Sequence, residues 1–179
     1  MGLRKLLKPV LNRILPRFAR WYLRKERSYR YEDLLVQVPP GVFHPGLYNS
    51  TKHLLAHLKQ FDLQGKILLE IGAGSGLISI WCARQGAVVT ATDLSEAAIS
   101  AIQGNAAQNQ VSLEVVHSDL FQGLTPRIFD FILLNPPFFK GTAQNEEAHA
   151  WYAGPEFEYF QRLFAGLKSY RKPGSILRM

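Results

Sequence analysis

Two stretches of this 179-residue chain bring together residue types that could do chemistry. The first runs Lys66-Ile67-Leu68-Leu69-Glu70-Ile71-Gly72-Ala73-Gly74-Ser75-Gly76-Leu77. An apolar run carries an acid, glycine then recurs at every second position, and an apolar helical pattern follows. That order reads as strand, tight turn and helix. Glycines there let a ligand approach the backbone without meeting a Cβ. The spacing is Gly-x-Gly-x-Gly, whereas phosphate-bearing dinucleotides are held by Gly-x-Gly-x-x-Gly. Glu70 would repel a phosphate and favour a cation, so the loop suits a nucleoside that carries positive charge. A glycine-rich turn with no ligand is the alternative. The second stretch is Phe129-Asp130-Phe131-Ile132-Leu133-Leu134-Asn135-Pro136-Pro137-Phe138, a buried parallel strand that ends in Asn-Pro-Pro-Phe. Its tip can present two hydrogen-bond acceptors, the Asn135 side-chain oxygen and the Pro136 carbonyl. Aimed at the two N–H bonds of a planar amine, they would favour pyramidal nitrogen and absorb its growing positive charge. Consecutive prolines fix φ and hold the carbonyl direction. Phe138 offers a flat face for stacking. A plain proline stop would account for Pro136 and Pro137 but not for Asn135 or Phe138.

Together the two stretches resemble the class I S-adenosylmethionine-dependent methyltransferases. Within them the chain looks like the small-domain N-methyltransferase group with the Asn-Pro-Pro-[Phe/Tyr] signature. That group includes ribosomal RNA guanine-N2, transfer RNA adenine-N6 and release-factor glutamine enzymes. The resemblance covers roughly Gly41 to Leu177 and implies S-adenosylmethionine as cofactor, whose sulfonium and amino group suit an acid beside glycines. It implies catalytic roles for Asn135, Pro136, Pro137 and Phe138. It implies cofactor contacts from Glu70, Gly72, Ala73, Gly74 and Gly76, and from Asp93 and Leu94 at the next strand's end. Asp119 and Leu120 match the family's adenine-binding acid and its apolar neighbour. Phe43 and Thr51 match the lid over the cofactor. No metal is implied.

Other elements must position these groups. Asp93 follows Glu70 by 23 residues, a βαβ spacing, at the end of the strand Val88–Asp93. A carboxylate there can accept both ribose hydroxyls; capping the following helix is the alternative, although Ser95 suits that better. Helices are expected over 77–84, 95–109 and 156–167, and a strand over 111–117. Asp119 also reads as a turn aspartate. Upstream, residues 29–38 read as a hairpin with its turn at Glu32-Asp33. Pro39-Pro40-Gly41 ends it, Gly41 to Gly46 is a loop, and a helix follows, capped by Asn49, Ser50 or Thr51. His53 and His57 stand one turn apart with no third ligand nearby. Lys140 to Ala153 is a polar loop placed where substrate should enter. Lys172-Pro173-Gly174 leads into a strand from Ser175.

The expected fold is α/β, a doubly wound, mostly parallel, Rossmann-like sheet over residues 29–179. By comparison with the family it lacks the last two strands. Residues 1–28 form a basic, apolar-striped helical extension. Ten of the chain's 21 basic residues but one of its 14 acids fall within the first 30 positions. That arm could pack on the domain, meet RNA phosphates or lie on anionic lipid. The single Cys82 reads as a buried thiol, and disulfide-free cysteine use fits an intracellular, cytoplasmic protein. No apolar run of membrane-spanning length is present. The functional expectation is N-methylation of an exocyclic amine on an RNA base, ranked above protein glutamine because of the basic arm. A cofactor- or RNA-binding fold without catalysis is the rival.

Overall fold

Alternating burial starts the described chain. In the computed structural model, residues 24–144, 148 and 150–179 are described; the expected arm therefore lies outside them up to residue 23, as do Asn145, Glu146, Glu147 and His149. Strands β1 (Arg27–Tyr31) and β2 (Leu34–Val38) pair antiparallel across Glu32-Asp33. Leu34, Val36 and Val38 point inward and are at most 2% exposed, the period-2 pattern of a half-buried strand. Helix α1 (Asn49–Leu58) follows, with Leu54, Leu55 and Leu58 buried. Its cap differs from expectation. The preceding residue is Tyr48, in extended conformation, and no side chain caps the helix. Asn49, Ser50 and Thr51 lie inside the first turn, one step too late to cap it.

The βα units then alternate: β3 (Ile67–Ile71), α2 (Leu77–Arg84), β4 (Val88–Asp93), α3 (Glu96–Gln108), β5 (Glu114–His117) and β6 (Phe129–Leu134). Helix α4 (Glu158–Gly166) runs into a 3₁₀ turn at Leu167–Ser169 and then into β7 (Arg171–Arg178). The sheet order is β5-β4-β3-β6-β7, with every pair parallel. The order reverses beside β3, so the carboxyl ends of β3, β4 and β6 surround one crevice. One face packs on the hairpin, α1, α2 and α3 through residues such as Val36, Leu55, Trp81 and Phe131. The other packs on α4 and the 3₁₀ turn through Leu69, Ile132, Leu163 and Leu167. Cys82 is fully buried in the first core, and burial holds its thiol well above the usual range.

Strand β7 begins four residues earlier than expected. Arg171 pairs with Phe129, but the next matched pair is Phe131 with Ile176, so Lys172–Ser175 bulge out. Gly174 takes φ +88° there, and the Ser175 hydroxyl donates to the Phe129 carbonyl. Pro173 is tolerated because β7 is an edge strand. Among the described residues no strand follows β7.

Candidate active site

A cavity of about 970 Å³ opens at the carboxyl ends of β3, β4 and β6. Its floor is the turn between β3 and α2. The amides of Gly72 and Ala73 both donate to the Thr92 carbonyl at 2.9 Å, folding the loop onto β4. Gly72 has φ +70°, and nothing lies within 4 Å of where its Cβ would stand, so bare backbone faces the cavity. Gly74 lies under Val42 and Phe43, its missing Cβ 3.7 Å from Val42. Gly76 does something else. It precedes α2 at φ +79°, a Cβ there would meet Ile102 at 3.2 Å, and it is not part of the cavity wall. Gly76 thus has a helix-packing reason for being glycine.

Two acids face this floor. Glu70 is 3% exposed and accepts from the Ser79 hydroxyl. Burial pushes its carboxyl up to about 8, against the opposing effect of the Ser79 bonds. Asp93 accepts the Gly74 amide on Oδ2 at 2.8 Å and the Ser95 amide on Oδ1 at 3.0 Å. Burial raises its carboxyl too, opposed by the amides of Ser95, Gly74 and Leu94. One carboxylate therefore ties the glycine loop to the start of α3, where Ser95 itself makes no side-chain cap bond. Each oxygen keeps further acceptor capacity toward the cavity. Two carboxyls held above their usual range in one crevice make a site that a cation would relieve. The donor and acceptor set thus fits a sulfonium-bearing nucleoside: bare backbone, one buried and one half-buried acid, and no clustered cations on the floor.

At the end of β5 the chain turns through Ser118 and Leu120. Leu120 is buried with φ +54°, and the Ser118 hydroxyl donates to its carbonyl. A non-glycine residue in that region stores strain, which is common at sites. Asp119 lines the cavity but is paired at 2.5 Å with Arg162 of α4. Leu94 lines the cavity while 40% exposed, and its carbonyl lies 2.6 Å from His117 Nε2.

Phe43 and Thr51, expected as a lid, both line the cavity, and Thr51 is 5% exposed. Phe43 stacks on Tyr48 at 5.1 Å, and both rings touch Trp151. Asn135 and Pro137 are in the wall, whereas Pro136 and Phe138 are not. The Phe138 ring stands 53% exposed against Phe139. Asn135 also borders a second, smaller cavity of about 320 Å³ walled by His53, His57 and Arg178. There Arg178 Nε donates to His57 Nε2 at 2.6 Å.

Tyr152, from the loop expected at the substrate entrance, lines the cavity. Sequence reasoning missed Tyr159 and Arg162, which close it from the α4 side, although a signal existed for both. Tyr159 and Arg162 are spaced i, i+3, so they share a face of α4 distinct from its aromatic stripe. The 140–153 loop folds back through the bridges Phe139 with Tyr152 and Gly141 with Gly154.

The family model described as the methyltransferase small domain matches residues 33–151. A putative protein N5-glutamine methyltransferase of Methanocaldococcus jannaschii is 33% identical over 144 residues, covering 76% of this chain and 72% of that protein. Ribosomal RNA small subunit methyltransferase C of Yersinia enterocolitica is 33% identical over 116 residues, 64% of this chain but 33% of its own length. Among solved structures, the Thermus thermophilus 16S ribosomal RNA N2 G1207 methyltransferase, in complex with AdoMet and guanosine, superposes with TM-score 0.58. It is 30% identical and covers 66% of this chain and 34% of that one. The chain thus spans about a third of these ribosomal RNA relatives.

Proposed function

This chain belongs to the methyltransferase small domain family, and from that premise we propose that it is an S-adenosylmethionine-dependent N-methyltransferase acting on an exocyclic amine of an RNA base. When bound, the cofactor supplies a methyl carbon made electrophilic by positive sulfur. The protein's part is to hold both partners and to shape the nitrogen's charge. The carboxyls of Glu70 and Asp93 would receive the cofactor's positive and hydroxyl groups over the Gly72–Gly74 backbone. Phe43 and Thr51 would cover it from above. Across the cavity, Asn135 Oδ1 would accept an N–H of the target amine, and the Pro136 carbonyl, outside the wall in the ligand-free protein, would turn toward the other. No base is needed before transfer, because the neutral amine attacks and releases its proton afterwards.

The observation that carries this reading is that Asn135 shares one cavity wall with the glycine loop and the acids Glu70 and Asp93. The ribosomal RNA relatives and the guanosine-bound neighbour support an RNA base. The Methanocaldococcus jannaschii relative supports protein glutamine as the second reading. Both substrates present a planar N–H₂ group, so Asn135 serves either. Labelled methyl transfer to total RNA and to protein extract separates them. Label in RNA that disappears with Asn135→Ala supports the first, label in protein alone the second, and none in either sinks both.

A further inference from the structure

Among the described residues the outer edge of β2 has no strand beside it, yet the backbone groups of Leu35 and Gln37 are paired. Leu35 and Gln37 turn theirs away from β1 by the alternation of an antiparallel ladder. Asn109 Oδ1 accepts the Leu35 amide at 3.1 Å, and its Nδ2 donates to the Leu35 carbonyl at 2.8 Å. One turn earlier on α3, Asn105 Oδ1 accepts the Gln37 amide at 2.7 Å and its Nδ2 donates to the Gln37 carbonyl at 2.8 Å. The match is metric. Four helical residues advance about 6 Å and two strand residues about 6.6 Å. Two asparagines at i, i+4 therefore stand in for a neighbouring strand.

Asn105 has a further bond that Asn109 lacks. Its Nδ2 also donates to the Ser75 carbonyl at 2.9 Å, inside the glycine loop. The second Asn109 donor instead goes to the Asn105 carbonyl, within α3. Asn105 is 1% exposed, so water does not substitute for these partners. β2 runs on through Val38 into residues 40–43, which roof the cavity above Gly74. One buried amide thus joins floor to roof.

We propose that Asn105 is a positioning residue for the cofactor, fixing the distance between the glycine loop and the segment that covers it. The inference rests on the reading that this cavity takes S-adenosylmethionine. It excludes a role in hairpin stability alone, because Asn109 holds the hairpin equally well without touching the loop.

The test compares Asn105→Ala, Asn105→Ser and Asn109→Ala by thermal melting and by calorimetric titration with S-adenosylmethionine below the melting range. All three should melt earlier. Asn105→Ala should bind about tenfold more weakly, the scale of a lost buried hydrogen bond, and Asn105→Ser should fall between it and the parent. Asn109→Ala should bind within about twofold of the parent. Should Asn105→Ala not fold, Asn105→Ser against Asn109→Ala gives the same contrast. Equal weakening by both asparagines, or unchanged affinity in the Asn105 variants, overturns the inference. A parent protein that binds no S-adenosylmethionine overturns the underlying functional reading instead.

Discussion

The ends of β3 and β4 and the end of β6 face the same cavity, but their side chains are held in different ways. At β3 and β4, fixed hydrogen bonds hold nearly every group. Two loop amides share the Thr92 carbonyl, Asp93 bridges Gly74 and Ser95, and the Thr92 hydroxyl donates to the Glu70 carbonyl. Beyond β6, backbone bonds from the Phe139 and Gly141 amides to the Trp151 and Gly154 carbonyls, and from the Ala153 amide to the Phe139 carbonyl, tie the chain to its facing loop, but the side chains that meet there are mostly rings. Phe138, Phe139 and Tyr152 are 53%, 51% and 41% exposed, and Trp151 rests on Phe43 and Tyr48. Hydrogen bonds have narrow angular requirements, whereas ring contacts tolerate several arrangements. The first region suits one constant ligand. The second suits substrates that differ in shape around a shared planar amine.

The sharpest way to break this contrast is Asn135→Ala. Transfer should fall about 10²- to 10³-fold, the scale of removing one preorganised hydrogen-bonding group. Cofactor affinity should not change, as titration beside a turnover assay would show. Affected binding would mean the two ends are not separate.

The acid at the first end gives the next effect. Glu70 holds its proton up to about pH 8 in the ligand-free protein, against an ordinary value of 4.5. A cationic ligand prefers the ionised form, so affinity should rise with pH between 6 and 8, by up to about tenfold per unit. Ligand-free stability has the opposite sign. The folded state keeps a proton that the unfolded chain has lost, so this contribution is complete below 4.5 and disappears as pH rises through about 8. Urea midpoints across that window, compared with Glu70→Gln, check it: the slope should flatten in the variant.

Asp93→Asn keeps the shape but weakens acceptance from two amides. Cofactor affinity should drop about tenfold, and transfer at saturating cofactor should recover. Trp151→Ala should do least, raising the substrate KM about threefold while leaving cofactor binding alone. A larger effect on the cofactor would show that the ring trio serves the roof rather than the substrate.

The same contrast decides what could be read before the structure was known. The glycine loop, Asp93 and Asn135 were legible because local periodicity places them at strand ends, where doubly wound sheets bind ligands. The all-parallel sheet followed from the same βα alternation. The packing of Gly76 against Ile102, on another helix, was not legible. The shared face of Tyr159 and Arg162 follows from their spacing, but not the pairing of Arg162 with Asp119 or the packing of Trp151 on Phe43, whose partners lie far away in sequence. Such contacts leave no periodic trace. The early start of β7 was hidden by Pro173 and Gly174, residues that usually end strands but here sit in an edge bulge.

Glu70 and the bare glycine backbone are the heart of the account, since they favour a cation where a dinucleotide site would welcome phosphate. Parallel calorimetric titrations of the whole chain with S-adenosylmethionine and with NAD test this directly. The account predicts saturable binding of S-adenosylmethionine, with about one proton released near pH 7, and no heat from NAD. Binding of NAD, or S-adenosylmethionine binding with no proton release and no dependence on Glu70, would contradict it.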